Sequence, residues 1–393
     1  MFKRREAIDV KKDILEYNSS NGADDLSLSL LDDENDKHKV TVDEDFVGSP
    51  TSFEVVDPIK GSFVTYTIKG YDNEGQFEGA RRYSDFFALR NALLTRMPGL
   101  YIPPISPKKM IGNKNDKFLS ERKFFLQRFL QLSCRIDHII KSQEFKIFSR
   151  PSGEIEKALE LLPKMTPELL YERLTTEYEF KEEEDLVEIK ENEAVINSYT
   201  VYIKKIIPTL KNIRDKVKPM VMSRGEHNEN FQTIINLMSH YEQGALLQYV
   251  DSDPDKLIMG NSLNPLYIDT STDIIDKFKN SFLDVYLWVK GEIYDVQALH
   301  DSIEGLNKLI KQKSKLEAKK KSNEETIDKV KNGKTTFKTI FSNDLKKDQL
   351  VTSTTNENEI IERDIELYEK IINVLQSHIA KDVVPNFKKQ KIK

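Results

Sequence analysis

Residues 81–93 read RRYSDFFALRNAL, and the hydrophobic period changes inside this stretch. Upstream, QFEGARRY has the texture of a strand; downstream, Phe86, Leu89, Leu93 and Met97 recur at three- and four-residue steps, the stripe of an amphipathic helix. Ser84 is placed to cap that helix from Asp85 onward, and Pro98-Gly99 to end it. Working back, SFEVVDP and GSFVTYTIKGY are two more β-type runs, with Asp72-Asn73-Glu74-Gly75 as the turn before the third. Working forward, a proline-rich loop, YIPPISPKKMIGNKND, leads to a helix over about 117–133 with Phe118, Phe125, Leu126, Phe129 and Leu130 on one face. A further helix near Gln143 to Phe148 closes the unit. Residues 50–150 are therefore expected to form one α+β domain, a three-stranded meander plus helices.

Around that domain the texture differs. Residues 1–48 mix Asp, Glu, Lys, Ser and Asn without a sustained apolar period, so they are expected to be a disordered tail. Beyond Pro151 no strand is convincing. The segment 152–175 reads as an amphipathic linker carrying Ile155, Leu159 and Leu162, with membrane insertion and simple packing as its two readings. From 176 to 393 the apolar residues fall into three long helical registers, about 177–250, about 272–333 and a third after a polar loop expected around VTSTTNEN. At ~1.5 Å per residue the first two would approach about 110 Å and about 90 Å, lengths that suit an extended rod, and Pro208 and Pro219 are expected to bend it. Narrow stripes leave apolar surface that one chain hardly covers, so pairing with a second copy or a related chain is expected.

The chain has 393 residues, with 60 Lys+Arg against 65 Asp+Glu and a formal net charge of -5. An anionic partner must therefore be met by local basic patches rather than by the field of the whole molecule. One cysteine, Cys134, excludes an internal disulfide and a Cys-rich zinc site. Charges at the N-terminus and the lack of an 18-residue apolar run argue against a secretory signal or a membrane span, and favour the cytosol. The residues LysAsnGlyLysThrThr at 331–336 imitate a phosphate-binding loop, but Asp328 stands where its first glycine is needed. Nucleophile-elbow, zinc-protease and kinase motifs are missing, and the histidines are scattered, so no catalytic residue, cofactor or metal is expected and the chain is not read as an enzyme. Nucleic acid is not expected as a partner, because the Lys-rich stretch has few interleaved aromatics.

Arg122 falls near the middle of an apolar stripe, and an arginine there wants an anion or a path to water. Arg81 and Arg82 close the last strand, Tyr83 opens the helix, and Lys108 and Lys109 end the PPISPKK loop, so together these groups suit a polyanionic head group. RRYSDFFALRNAL, IPPISPKK and FLSERKFFLQRFL, in that order and spacing, resemble the PX domain family of phosphoinositide readers over about 53–150. The resemblance implies that Arg82 holds the 3-phosphate of phosphatidylinositol 3-phosphate and that Tyr83 packs beneath the inositol ring. It further implies Lys108, or Lys109 in its place, on the 1-phosphate and Arg122 on the ring hydroxyls at positions 4 and 5. Chemistry agrees, since Arg offers a planar donor fork and Lys a point charge. Met110 and Ile111 at the loop tip would enter the lipid interface, or fold back onto their own domain.

With a long helical region behind it, the chain resembles a sorting nexin of the PX–BAR type, an α+β PX domain followed by an all-α, elongated three-helix dimerising domain. FKTIFSNDLKKDQ and VVPNFKKQKIK are similar to segments of such BAR regions. The resemblance implies a peripheral protein on the cytosolic face of endosomal membranes, a homodimer or a heterodimer with a related sorting nexin, and retromer-like cargo machinery as a partner. On the rod, Lys204, Lys211 and Lys218 recur every seven residues with Arg214 between them, and 13 Lys face 5 acidic residues between Lys308 and Lys347, among them Lys329, Lys331 and Lys334. Each lysine near an anionic leaflet contributes about 1 kcal/mol, although a Lys run on a helix is often only a solvated face. A coiled-coil tether whose PX-like fold binds protein is the reading of a different class, and a scaffold in phagocytic or autophagic traffic a third.

Overall fold

The computed structural model describes residues 52–72, 75–108, 116–150, 153–242, 244, 280–332 and 344–392. The tail expected over 1–48 lies outside them. Among the described residues, β1 (Ser52–Lys60), β2 (Val64–Asp72) and β3 (Gly75–Arg82) form one antiparallel sheet in the order β1-β2-β3, the expected meander. Phe53, Val55, Tyr66, Ile68 and Phe77 are its buried face. β1 reaches past Pro58 because the register shifts between Val55 and Pro58, a bulge that tolerates a residue without an N–H. The edge of β1 is closed by a side chain: Gln127 accepts from the Val55 N–H at 2.5 Å and donates to the Phe53 carbonyl at 3.0 Å.

Against the sheet lie α1 (Tyr83–Arg96), α2 (Asp116–Ser133), α3 (Asp137–Ile140) and α4 (Gln143–Ser149). Phe86 and Leu89 of α1, Leu126 and Phe129 of α2 and Phe148 of α4 are within 2% of complete burial. Ser84 is not the cap of α1. The helix starts two residues earlier than expected, at Tyr83, and the Asp85 carboxylate accepts from the Arg82 N–H at 2.7 Å.

The linker contains α5 (Ile155–Glu160) and α6 (Pro167–Glu172), the latter running into a π-helical turn, Arg173–Glu177. Ile155 and Leu159 are buried, so packing of α5 takes the apolar side of that segment, while Leu161 is 86% exposed. The first long helix, α7 (Leu186–Tyr241), begins later than the expected 177, because the chain from Tyr178 to Asp185 is not helical. It continues through Pro208 and Pro219, each of which leaves a carbonyl one turn earlier without its N–H. Two more helices follow, α8 (Ser281–Lys331) and α9 (Asp344–His378), and the chain ends in a π turn, Ile379–Val383, and α10 (Val384–Ile392). VTSTTNEN is not a loop; it lies inside α9.

The described residues fall into two compact units. The smaller comprises Pro107–Arg122 with Ile206–Ile293, and the larger Val42–Ser106, Lys123–Lys205 and Tyr294–Lys393. In the larger unit the α+β domain is docked on the long helices. Arg128 of α2 grips Asp295 of α8 through both terminal nitrogens, at 2.6 and 2.7 Å, and Lys391 of α10 reaches the same carboxylate at 2.8 Å. Arg90 pairs with Asp301, the Ser302 hydroxyl donates to the Gly99 carbonyl, and the Phe125 and Tyr294 rings meet edge to face at 4.9 Å. At the closest crossing a Cβ on Gly305 would lie 2.3 Å from the Gly99 nitrogen, and Gly99 itself has φ +91, so both positions require glycine. Glu144 of α4, wholly buried, accepts from Arg96 of α1 and from Arg173 of the π turn. His138 is buried beside Tyr178, Phe180 and His378, and burial followed by the His378 charge lowers its pKa to about 3.

In the smaller unit Lys290 of α8 is buried against Glu121 of α2, 2.6 Å apart, with its ammonium 5.1 Å from the centroid of the Tyr286 ring. Asn280 donates to the Val221 carbonyl at 2.9 Å. Here Ile234, Leu237 and Tyr241 of α7 and Trp288 of α8 are exposed.

Candidate functional site

The end of β3 sends two adjacent arginines to opposite faces, as strand alternation demands. Arg81 turns inward, where its Nε and Nη2 donate to the Phe148 carbonyl at 2.9 and 2.7 Å and its Nη1 to the Ala80 carbonyl at 2.7 Å. Its guanidinium lies between the rings of Phe77 and Phe148, and burial lowers its pKa against the opposing pull of Asp85. Arg81 therefore ties β3 to α4, and the expectation that it joins a head-group cluster is wrong. Its donors are turned to backbone and its exposure is 4%.

Arg82 turns outward and is exposed. Its backbone is held by Asp85, and its guanidinium carbon sits 3.9 Å from the centroid of the Phe63 ring. Tyr83, the first residue of α1, is 9% exposed, and its phenol donates to the Ser106 carbonyl at 2.6 Å. Arg90, one turn beyond Phe86, donates to the Pro103 carbonyl at 2.9 Å. Two side chains of α1 thus fasten the proline-rich loop through its backbone carbonyls.

In the smaller unit, Lys108 is exposed and Arg122 is 5% exposed. The Arg122 guanidinium lies 4.2 Å from the Phe118 centroid, and its Nη2 faces the Pro107 carbonyl at 3.4 Å. Spacing placed Arg122 on the apolar side of its helix, and the structure agrees. Of the four head-group residues, Arg82 and Tyr83 lie in the larger unit and Lys108 and Arg122 in the smaller one. Lys109, Met110 and Ile111 lie outside the described residues.

The basic residues of the long helices are less uniform than their spacing suggests. Lys204 is exposed, Lys211 and Lys218 are half-buried, and Arg214 pairs with its neighbour Asp215 at 2.8 Å. Along α8, Lys313, Lys319 and Lys320 meet Glu369, Glu357 and Glu362 of α9 at 2.7–3.2 Å, and Lys329 lies 3.8 Å from Glu325. A count along the sequence misses the partners on α9 because they sit about 40 to about 55 residues downstream. The side chain of Lys331, and Lys334 entirely, fall outside the described residues. Among the described residues no cluster of His, Cys, Asp and Glu could hold a metal ion, and no helix is long and apolar enough to cross a membrane.

Phe63 escaped the sequence reading, which placed it in a strand. It sits in the turn before β2, and the pairing of Thr65 with Arg82 brings it beside the arginine. A register could have signalled it, had the strand ends been known.

Comparison with known proteins places this geometry. Residues 70–152 match the PX domain family, a span that takes in the end of β2, β3 and α1 to α4. Mouse sorting nexin-7 is 33% identical over 95 residues, which cover 23% of this chain and 24% of that protein. The vacuolar protein sorting-associated protein vps5 of Schizosaccharomyces pombe is 29% identical over 134 residues, 31% of this chain and 23% of that protein. The chain thus spans about a quarter of the length of these curated relatives. The cryo-EM structure of the SNX-BAR Mvp1 tetramer aligns over 86% of this chain and 91% of that chain, at 17% identity and a TM-score of 0.44.

Proposed function

We propose that this chain is a PX–BAR sorting nexin, a membrane-binding rather than catalytic protein. Its PX domain takes the head group of phosphatidylinositol 3-phosphate on the cytosolic face of endosomes. The observation that carries the reading is the division of labour at the end of β3, where Arg81 is occupied internally and Arg82 presents its charge to solvent. In this reading Arg82 binds the 3-phosphate, Tyr83 supports the inositol ring, Lys108 meets the 1-phosphate and Arg122 the ring hydroxyls. Lys109, Met110 and Ile111 touch the lipid interface, and Lys204, Lys211, Arg214, Lys218, Lys329, Lys331 and Lys334 add attraction to an anionic leaflet.

Arg82→Ala is expected to lower binding to vesicles containing phosphatidylinositol 3-phosphate about 100-fold, the loss of two charge-assisted hydrogen bonds. Co-sedimentation with such vesicles measures it. Binding equal to that of the parent protein would instead favour a tether whose PX domain recognises protein. Because Arg82 is exposed, its loss leaves the fold intact.

The long helices act, in this reading, as a dimerising region that senses or imposes tubule curvature, serving cargo sorting with retromer-like machinery. Two weak head-group sites in one dimer bind by avidity. Exposed Ile234, Leu237, Tyr241 and Trp288 supply apolar surface for a second copy or a related sorting nexin. Sedimentation equilibrium at micromolar concentration is expected to give twice the chain mass, and a monomer there would count against the pairing.

A further inference from the structure

We infer that Phe63 is a positioning residue for head-group capture, holding the Arg82 guanidinium ready for an inositol phosphomonoester before one arrives. The inference deepens the phosphoinositide reading and rests on it.

Phe63 is 58% exposed, so the core does not explain its orientation. Thr65 and Arg82 are directly opposite in the β2–β3 ladder, and Phe63 lies two residues ahead of Thr65, in the turn that enters β2. The guanidinium carbon is 3.9 Å from the centroid of the ring. At that distance the cation lies within cation–π range of the ring, and we take the contact to be through the face of the guanidinium.

Arginine's donors lie in the guanidinium plane, so a ring against one face leaves the in-plane N–H fork to bind a phosphate. The backbone end of Arg82 is fixed separately, by the Asp85 carboxylate on its N–H at 2.7 Å. Held at both ends, the side chain loses less rotamer freedom on binding than an arginine free in water. Asp85 and Phe63 have different tasks: the first fixes where the side chain leaves the strand, the second where its charge ends.

The test uses the full chain with three substitutions, Phe63→Ala, Phe63→Leu and Phe63→Tyr. Two probes are read: soluble inositol 1,3-bisphosphate by titration calorimetry, and phosphatidylcholine vesicles containing phosphatidylinositol 3-phosphate by co-sedimentation. Leu keeps apolar bulk and loses the ring quadrupole, whereas Tyr keeps both. Phe63→Ala and Phe63→Leu are expected to weaken the soluble head group about three- to tenfold, and Phe63→Tyr to stay within about twofold of the parent. Vesicle binding should fall in the same order. Soluble head-group binding by Phe63→Leu equal to the parent's overturns the inference. So does a loss by Phe63→Ala confined to vesicles, which would make the ring an apolar membrane anchor. A folded parent protein that binds neither probe defeats the phosphoinositide reading itself, a result distinct from the other two. Unchanged thermal melts of the Leu and Tyr variants keep the comparison free of folding effects.

Discussion

Asp295→Ala is expected to lower the stability of the larger unit by about 3 kcal/mol, the lower end of the range for breaking a buried ion pair. Asp295 is 1% exposed and receives three charged donors, two from Arg128 and one from Lys391. Removing the carboxylate leaves two cations facing each other without their counter-ion. Their side chains are 29% and 20% exposed and so regain part of their hydration, which keeps the loss from the upper end of the range. Urea denaturation of the full chain measures the effect. A triple variant, Asp295→Leu with Arg128→Met and Lys391→Met, is expected to recover most of the lost stability, since a packed apolar trio removes the charges together. A single Asp295→Ala variant with an unshifted midpoint would show that the ion pairs contribute nothing net.

Glu144→Ala is expected to cost more, about 3–5 kcal/mol, because both of its partners are themselves largely buried. The carboxylate has no exposure, and Arg173 and Arg96 retain 8% and 14% of theirs. Burial alone would raise the pKa of Glu144, but the hydrogen bonds and charge of Arg173, then the bond from Arg96, outweigh it and hold the pKa below 4.5. A carboxylate with a depressed folded-state pKa stabilises the fold fully above its unfolded value. That contribution is lost as pH falls below 4.5 through the depressed folded value. Thermal melts between pH 7 and pH 3 should show a steeper acid fall for the parent than for Glu144→Gln, which cannot titrate there. Parallel acid profiles for the two would remove Glu144 from the account of acid stability.

How far the sequence carries this structure can be judged residue by residue. The change from strand to helix at Arg82-Tyr83, the sheet order and the buried flank of Arg122 were legible, because each depends on local alternation or helical period. VTSTTNEN was misread for the same reason. Two of its polar residues are buried on α9: Thr354 and Asn358 are 9% exposed, the Thr354 hydroxyl returns to the Leu350 carbonyl, and Asn358 accepts from Asn323. A search for apolar stripes passes over helix contacts made by amide and hydroxyl groups. Arg81 and Arg82 are alike in sequence, and only the strand's orientation separates the structural one from the exposed one. Asp295 and Glu144 were beyond reach, since their partners stand up to 167 and 48 positions away and nothing local marks an acid as buried.

The crossing of Gly99 over Gly305 bears on how the α+β domain should be handled in the laboratory. A fragment excised at residue 150 would keep Arg82, Tyr83 and Phe63 but lose Asp295, Asp301 and Tyr294, baring the Phe125 ring and leaving Arg128 without its buried counter-ion and Arg90 without its acidic partner. Such a truncated piece would carry extra positive charge and a sticky apolar facet, and would adhere to acidic liposomes for reasons unrelated to inositol.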